Sequence, residues 1–170
     1  MNTCYNITRR TVRFMVKVMF ICTGNICRSA MAEAIMKKEV NKMGKEDQIE
    51  VCSAGTYAED GDCASMHAIE AMEYYDIDLK GHRATSLRNS KIRQMDIILC
   101  ATVEHKQIVL RLYPELKGKV YTMKEYAGLD NDGKDLNIKD PWGYNLHVFL
   151  ECAKEISKCI DNILIKIIDK

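Results

Sequence analysis

Residues 16–34 read VKVMFICTGNICRSAMAEA and join a strand pattern to a helix pattern through a short loop. The apolar run at 16–21 has the pattern of a buried strand, and the Ala- and Met-rich run from about residue 29 has the pattern of a helix. Between them, residues 22–29 form a loop that leads into a helix N-terminus. Unpaired backbone N–H groups and the helix dipole favour an anion there. We call residues 22–29 the anion loop.

The anion loop also carries a nucleophile. Cys22 is its first residue, and the positive field of the loop favours the thiolate, which is the reactive form. Arg28 follows six residues later and can bind two phosphate oxygens at once, which Lys cannot do. Gly24 and Asn25 both tolerate positive φ, and Ser29 is placed to donate a hydrogen bond to the thiolate. Together these residues predict attack by a thiolate on a phosphate ester.

Strand and helix patterns alternate along the rest of the chain. The predicted strands cover residues 16–21, 48–54, 96–101 and 119–122, and the predicted helices cover 29–43, 65–75, 103–113 and a last helix. That last helix has an apolar stripe, interpreted as a core face, at Phe149, Ala153, Ile156, Ile160, Ile163 and Ile167. Such alternation predicts an α/β fold, a parallel sheet with helices on both faces that binds ligands at the carboxyl ends of its strands. The loop at 127–143 is long for a compact domain, and long loops are often functional.

Three stretches of the sequence resemble the low-molecular-weight protein tyrosine phosphatase family over roughly residues 16–168. They are CTGNICRS at 22–29 with AEA at 32–34, CSAGT at 52–56, and DPWG at 140–143. The resemblance implies a four-stranded parallel sheet. It also implies a phosphomonoester hydrolase that acts on protein phosphotyrosine through a phosphocysteine intermediate.

Further site residues come from this resemblance. The spacing of Asp140 and Pro141 is equally that of a turn, but the resemblance makes Asp140 the general acid and then the general base. It also implies that Asn25 is held by Ser53 and His82. The expected phosphate- and substrate-binding residues, with Trp142 stacking on an aromatic ring, are Thr23, Gly24, Asn25, Ile26, Cys27, Ser29 and Trp142.

Composition limits the remaining possibilities. A chain of 170 residues fits one domain, and a net charge of +1 gives no reason to expect nucleic acid or an anionic membrane as a partner. The eight cysteines are scattered, which indicates reduced thiols and a cytoplasmic protein. We expect no membrane span, metal or cofactor, and a monomer. Residues 1–14, where Cys4 begins an isolated repeat of the Cys–Arg spacing, are predicted to be a loosely packed extension before a single domain at 15–170.

Three other functions stay open. A protein-arginine phosphatase is a branch of the same family, whose members tend to carry Thr at the place of Ile26. A thioredoxin-coupled arsenate reductase needs a further reactive cysteine pair, and Cys152 and Cys159 are the pair to consider. A phosphocysteine carrier of a sugar phosphotransferase system would have no use for Arg28 or Asp140. Because Ile26 is apolar, we expect a phosphotyrosine-bearing protein or a small aryl phosphate as the substrate.

Overall fold

The computed structural model describes residues 15–129 and 135–169. These residues form a four-stranded sheet in the order β2-β1-β3-β4, and every neighbouring pair of strands is parallel. The strands are β1 (Val16–Cys22), β2 (Ile49–Gly55), β3 (Ile97–Cys100) and β4 (Val120–Thr122). The helices are α1 (Arg28–Lys42), α2 (Met66–Glu73), α3 (Val103–Leu112), α4 (Met123–Ala127) and α5 (Leu146–Ile168).

Both faces of the sheet are covered, which confirms the predicted fold class. Successive residues of β1 point to opposite faces: Val18 and Phe20 join a core cluster with α1, α2 and α5. Met19 and Ile21 join a second cluster with Val109 of α3. The apolar stripe predicted for the last helix is buried, with exposed fractions of 8% or less along α5. Over the described residues, no helix is both long enough and apolar enough to span a bilayer.

Most predicted elements agree with the structure to within two residues at each end. The exception is α4, for which no element was predicted; only its last residue, Ala127, falls in the segment predicted to be a loop. Thr122 and Glu125 form a capping box at its start, and Gly128 ends it with a positive φ of 68°. This pairing of Thr with Glu three residues later is a helix-start signal that the sequence contained. The predicted extension at residues 1–14 lies outside the described residues.

The sheet order places the anion loop at a switch point. β2 lies on one side of β1 and β3 lies on the other, so the chain connections on the two sides run in opposite directions. This arrangement leaves a crevice beyond the carboxyl end of β1. Cys22 is the last residue of β1, and its partner in the register is Gly55 at the end of β2. The anion loop therefore starts in the middle of the sheet edge.

Candidate active site

The main chain of the anion loop turns its carbonyl groups outward. Four of its carbonyl oxygens accept hydrogen bonds from outside the loop: Cys22 from Thr56 N at 2.9 Å, Thr23 from Tyr57 N at 2.9 Å, Asn25 from His82 Nε2 at 2.6 Å and Ile26 from Ser65 N at 2.9 Å. In the part of the chain that the structure describes, the N–H groups of residues 23–27 donate no hydrogen bond. A loop with its carbonyls outside and its N–H groups free suits an anion at its centre.

Asn25 fixes the direction of the hydrogen bond that reaches Cys22. It is fully buried with φ of 55°, a left-handed conformation that Asn tolerates. Its Oδ1 accepts from Thr85 N at 2.8 Å, so Nδ2 is the donor to Ser29 Oγ at 2.8 Å. Because Ser29 accepts that bond, its own hydroxyl hydrogen can be donated to Cys22 Sγ, which lies 2.9 Å away. The hydroxyl is placed to stabilise a thiolate.

The residues expected to support Asn25 lie around it. Asn25 Nδ2 also donates to Ser53 Oγ at 2.8 Å, and Ser53 donates in turn to the Glu33 carboxylate. His82 Nε2 donates to the carbonyl oxygen of Asn25. The structure thus brings Ser53 and His82 together behind the loop and adds Glu33 of α1, to which the sequence interpretation gave no role.

Gly55 allows β2 to pass close to the anion loop. A Cβ atom at this position would lie 2.4 Å from Thr23 O and 2.9 Å from Asn25 N, both main-chain atoms. No side chain fits there without displacing the loop. Position 24 does not require glycine in the same way. The φ of Gly24 is not positive, and an added Cβ would meet only the Ile26 side chain, at 3.6 Å.

Arg28 faces the centre of the site from the first residue of α1. Its side chain is 4% exposed, and its Nη2 donates to Asp140 Oδ2 at 2.7 Å while Nη1 donates to Ile138 O at 3.2 Å. Among the described residues, the buried Nε has no hydrogen-bond partner. A buried N–H of a guanidinium without an acceptor carries a free-energy cost. A bound oxyanion would remove that cost.

The loop with Asp140 is attached to the sheet edge. The main chain of Ile138 donates to Ala101 O at 2.8 Å, just beyond β3, and Ile138 is fully buried. Asp140 Oδ1 accepts from Trp142 N at 3.1 Å, which fixes the carboxylate relative to its own turn. The Asp140 side chain remains half exposed, so a group that enters from solvent can reach it.

These elements enclose a small cavity above Cys22. Its volume is about 180 Å³, and its lining residues are Cys22, Thr23, Gly24, Ile26, Cys27, Arg28, Asp140 and Trp142. All of these were singled out from the sequence. Asn25, Ser29, Ser53 and His82 lie behind the cavity wall. The arrangement can hold a tetrahedral oxyanion between the loop N–H groups and Arg28, with a sulfur nucleophile below and a carboxyl group beside it.

Cys27 is the second cysteine of the anion loop. It is 5% exposed and its thiol lies 3.2 Å from Ser65 Oγ. Burial raises the pKa of the Cys27 thiol to about 11, so it is protonated at neutral pH. Burial also raises the pKa values of Cys152 and Cys159 on α5 to about 12. These two residues are one heptad apart on α5, roughly 10.5 Å by helical rise, which is beyond the about 7 Å between Cα atoms that a disulfide permits.

The sequence interpretation missed His105. No role was predicted for this residue, but His105 contacts the anion loop. Its Nε2 lies 2.9 Å from Thr23 Oγ1 and its Nδ1 lies 2.7 Å from Thr102 Oγ1. Burial, and next the charge of Arg28, lower the pKa of His105 to about 4. Thr102 is the N-cap of α3, but the contact with Thr23 joins residues 82 positions apart and has no local signal.

Comparison with known proteins agrees with the geometry. A family model described as low molecular weight phosphotyrosine protein phosphatase matches residues 17–170. A protein-arginine-phosphatase of Geobacillus stearothermophilus is 32% identical over 151 residues, which are 89% of this chain and 95% of the relative. The low molecular weight protein-tyrosine-phosphatase PtpB of Staphylococcus epidermidis is 30% identical over 151 residues, 89% of this chain and 99% of its own.

Solved structures give the same result. The crystal structure of a low molecular weight protein tyrosine phosphatase from T. tengcongensis is similar with a TM-score of 0.81 and 38% identity, covering 89% of this chain and 99% of its own. The YwlE arginine phosphatase of Geobacillus stearothermophilus is similar with a TM-score of 0.80 and 31% identity, covering 91% and 94%.

Proposed function

The chain belongs to the low molecular weight phosphotyrosine protein phosphatase family, and we propose that it hydrolyses protein phosphotyrosine with Cys22 as nucleophile, Arg28 as phosphate ligand and Asp140 as general acid and base. The observation that carries this assignment is the position of Cys22 Sγ. It lies at the floor of a cavity where loop N–H groups and the buried Arg28 Nε have no acceptor among the described residues.

In the first step, the Cys22 thiolate attacks phosphorus and the bond from phosphorus to the ester oxygen breaks. The loop N–H groups and Arg28 hold the three non-bridging oxygens, where negative charge is greatest in the transition state. Asp140 in its protonated form gives its proton to the departing oxygen. The products of this step are the free hydroxyl compound and a phosphocysteine at Cys22.

In the second step, Asp140 is a carboxylate and takes a proton from water. The water oxygen attacks phosphorus, the bond from sulfur to phosphorus breaks, and inorganic phosphate leaves. Ser29 assists because its hydroxyl, 2.9 Å from Cys22 Sγ, donates to the departing thiolate. Substrate phosphate would take the place of the Asp140 carboxylate on Arg28, which frees Asp140 for proton transfer.

The wall of the cavity supports an aryl phosphate as substrate. Ile26 gives the wall an apolar side chain, and Trp142, which is 61% exposed at the entrance, offers a ring face. A phosphoguanidine would bring N–H groups against Ile26, where a buried unpaired donor costs about 1–3 kcal/mol. We therefore expect a preference of roughly 10- to 100-fold for phosphotyrosine over phosphoarginine.

Phosphoarginine is the second candidate substrate, because Thr23 and Asp140 also line the cavity and both carry oxygens that accept hydrogen bonds from a guanidinium group. Two relatives at 32% identity are protein-arginine-phosphatases. Steady-state rates on matched phosphotyrosine and phosphoarginine peptides test the choice, with arsenate reduction as a third assay. Equal rates on the two peptides would contradict the tyrosine assignment, and the Ile26→Thr variant should narrow the gap if the assignment is correct.

We also propose that oxidation of Cys22 is reversible through Cys27. Peroxide would convert the Cys22 thiolate to a sulfenic acid, and the Cys27 thiol would displace water to form a disulfide. Mass spectrometry after mild oxidation tests this, with Cys63→Ser, an exposed cysteine, as the control. Unchanged recovery of activity by thiols in Cys27→Ser would contradict it.

Because the seven described cysteines are all free thiols, we expect a cytoplasmic protein, and we expect a monomer.

A further inference from the structure

A second groove opens beside the catalytic cavity, between the start of α2 and the segment that follows Asp140. Its volume is about 570 Å³. We call it the apolar groove, and its lining residues are Ile26, Cys63, Ser65, Met66, His67, Trp142, Gly143, Tyr144 and Phe149. Three of these are large apolar or aromatic side chains that stay exposed: Met66 at 69%, Trp142 at 61% and Tyr144 at 53%. Exposed apolar side chains that gather at one place indicate a binding surface.

The apolar groove is continuous with the catalytic cavity. Ile26 and Trp142 line both, so a molecule with its phosphate on the anion loop passes these two side chains before it reaches Met66 and Tyr144. The polar groups of the groove are partly satisfied within the protein, since Ser65 Oγ contacts Cys27 Sγ and His67 Nδ1 lies 2.8 Å from a Glu70 carboxylate oxygen. What the groove offers to a ligand is mainly apolar surface.

The opposite side of the catalytic cavity has a different character. A cavity of about 420 Å³ adjoins it there and shares Thr23, Arg28 and Asp140 instead of Ile26 and Trp142. Its further lining is mostly polar or charged, with Thr102, Glu104, His105, Asn137 and Lys139 beside the apolar Val103 and Ile138. The surface around the phosphate position is therefore asymmetric, apolar on one side and polar on the other.

We propose that the apolar groove binds a large aliphatic side chain, of the Leu or Met kind, that flanks the phosphorylated residue in a protein substrate. This inference rests on the proposed function. An extended chain advances about 3.3–3.6 Å per residue, so a side chain one or two positions from the phosphorylated residue reaches the groove. Because only one side of the cavity is apolar, the preference applies to one flank of the phosphorylated residue and not to both.

The experiment compares phosphotyrosine peptides that carry Leu or Ser at each of the two positions before and after the phosphorylated residue. The protein variants are Met66→Gln and, as matched control, Leu112→Gln. Gln replaces Met with little change in length and is a good helix former, and Met66 is the first residue of α2 and exposed. Leu112 is 56% exposed at the end of α3 and lines none of the three cavities. A small aryl phosphate, which does not reach the groove, reports the basal activity.

We expect Leu on one flank to raise kcat/KM by roughly 5- to 30-fold over Ser, from partial burial of the side chain. Met66→Gln should reduce that gain several-fold and leave the Ser peptides and the small aryl phosphate unchanged, whereas Leu112→Gln should keep the full gain. No gain on either flank, equal gains on both, or a gain that survives Met66→Gln would overturn the proposal while the proposed function stands.

Two further outcomes are informative. If Met66→Gln changes the sedimentation mass of the protein and not the peptide preference, a second copy of the chain covers the groove and the proposal is wrong. If the unmodified protein hydrolyses the small aryl phosphate but no phosphotyrosine peptide, the proposed substrate is wrong and the proposal fails with it. The two failures are separable, because the first appears in the Met66→Gln variant and the second in the unmodified protein.

Discussion

Arg28 Nη2 lies 2.7 Å from Asp140 Oδ2, so the proposed phosphate ligand and the proposed general acid contact each other directly. Both groups face the same small cavity. A phosphate that enters competes with the carboxylate for the guanidinium, and the carboxyl group is then beside the ester oxygen. Binding of the phosphate dianion to Arg28 therefore also places the Asp140 carboxyl group for proton donation.

Loss of the guanidinium should weaken phosphate binding directly. We expect Arg28→Lys to raise the inhibition constant of inorganic phosphate by roughly 10- to 100-fold, because one point charge replaces two charge-assisted hydrogen bonds. Arg28→Ala should lose both binding and turnover. Competitive inhibition against a small aryl phosphate measures this. Unchanged inhibition in Arg28→Lys would show that the guanidinium does not hold the phosphate.

Removal of the acid should affect substrates according to their leaving groups. In Asp140→Asn, substrates with poor leaving groups should lose roughly 10²–10⁴-fold in kcat. An activated aryl phosphate should lose less, because its leaving group departs without a proton. A series of aryl phosphates with different leaving-group acidity checks this. Equal loss across the series would indicate a structural role for Asp140.

A single methyl group at Gly55 should damage the site. The Cβ of Gly55→Ala would lie 2.4 Å from Thr23 O, so the anion loop has to move. We expect kcat/KM to fall by roughly tenfold or more, since small displacements of catalytic groups are costly. Gly81→Ala is the matched control, because an added Cβ there meets nothing within 4 Å. Equal activity of the two variants would contradict the required close approach.

His105 should act on catalysis through Thr23. We expect Thr23→Val and His105→Gln each to lower kcat/KM by roughly 2- to 10-fold, as for loss of one hydrogen bond. The double variant should be no worse than the more affected single one. Additive losses would show that the 2.9 Å contact between Thr23 and His105 carries no coupling.

The same histidine predicts a pH dependence of stability. The pKa of His105 is lowered from 6.5 to about 4 in the folded protein, so between these values the unfolded chain binds a proton that the folded chain does not. The unfolding free energy should therefore have its full value above pH 6.5. It should fall by up to about 3 kcal/mol as the pH drops to about 4. In His105→Gln this part of the loss should be absent in denaturant titrations. An identical pH profile for both proteins would contradict the buried neutral state of His105.

Local patterns in the sequence were enough to predict much of the fold and the site. The apolar run before Cys22 and the helix after Arg28 gave the anion loop, because strand and helix periodicity are local properties. Asp140 needed the family resemblance in addition, since an Asp-Pro pair alone is equally a turn. The α4 helix was not predicted, although Thr122 and Glu125 have the spacing of a capping box. The helix has only five residues, which is too short for a helical periodicity to be recognised.

Contacts between distant residues could not be predicted in the same way. His105 reaches Thr23 only because β3 lies next to β1 in the sheet, and the strand order follows from tertiary packing. The need for glycine at position 55 likewise depends on how closely β2 passes the anion loop. Both contacts depend on distances between neighbouring strands, which residue spacing in the sequence does not predict.

Both steps of the proposed mechanism depend on a phosphocysteine at Cys22. It is tested most directly by rapid acid quench of the Asp140→Asn protein with an activated aryl phosphate, followed by mass spectrometry of the peptides. We expect a phosphate on Cys22 in that protein and in its Cys63→Ser control form, and no turnover in Cys22→Ser. Phosphate on a residue other than Cys22 in the Asp140→Asn protein, or appreciable turnover by Cys22→Ser with Cys4 still present, would contradict the phosphocysteine.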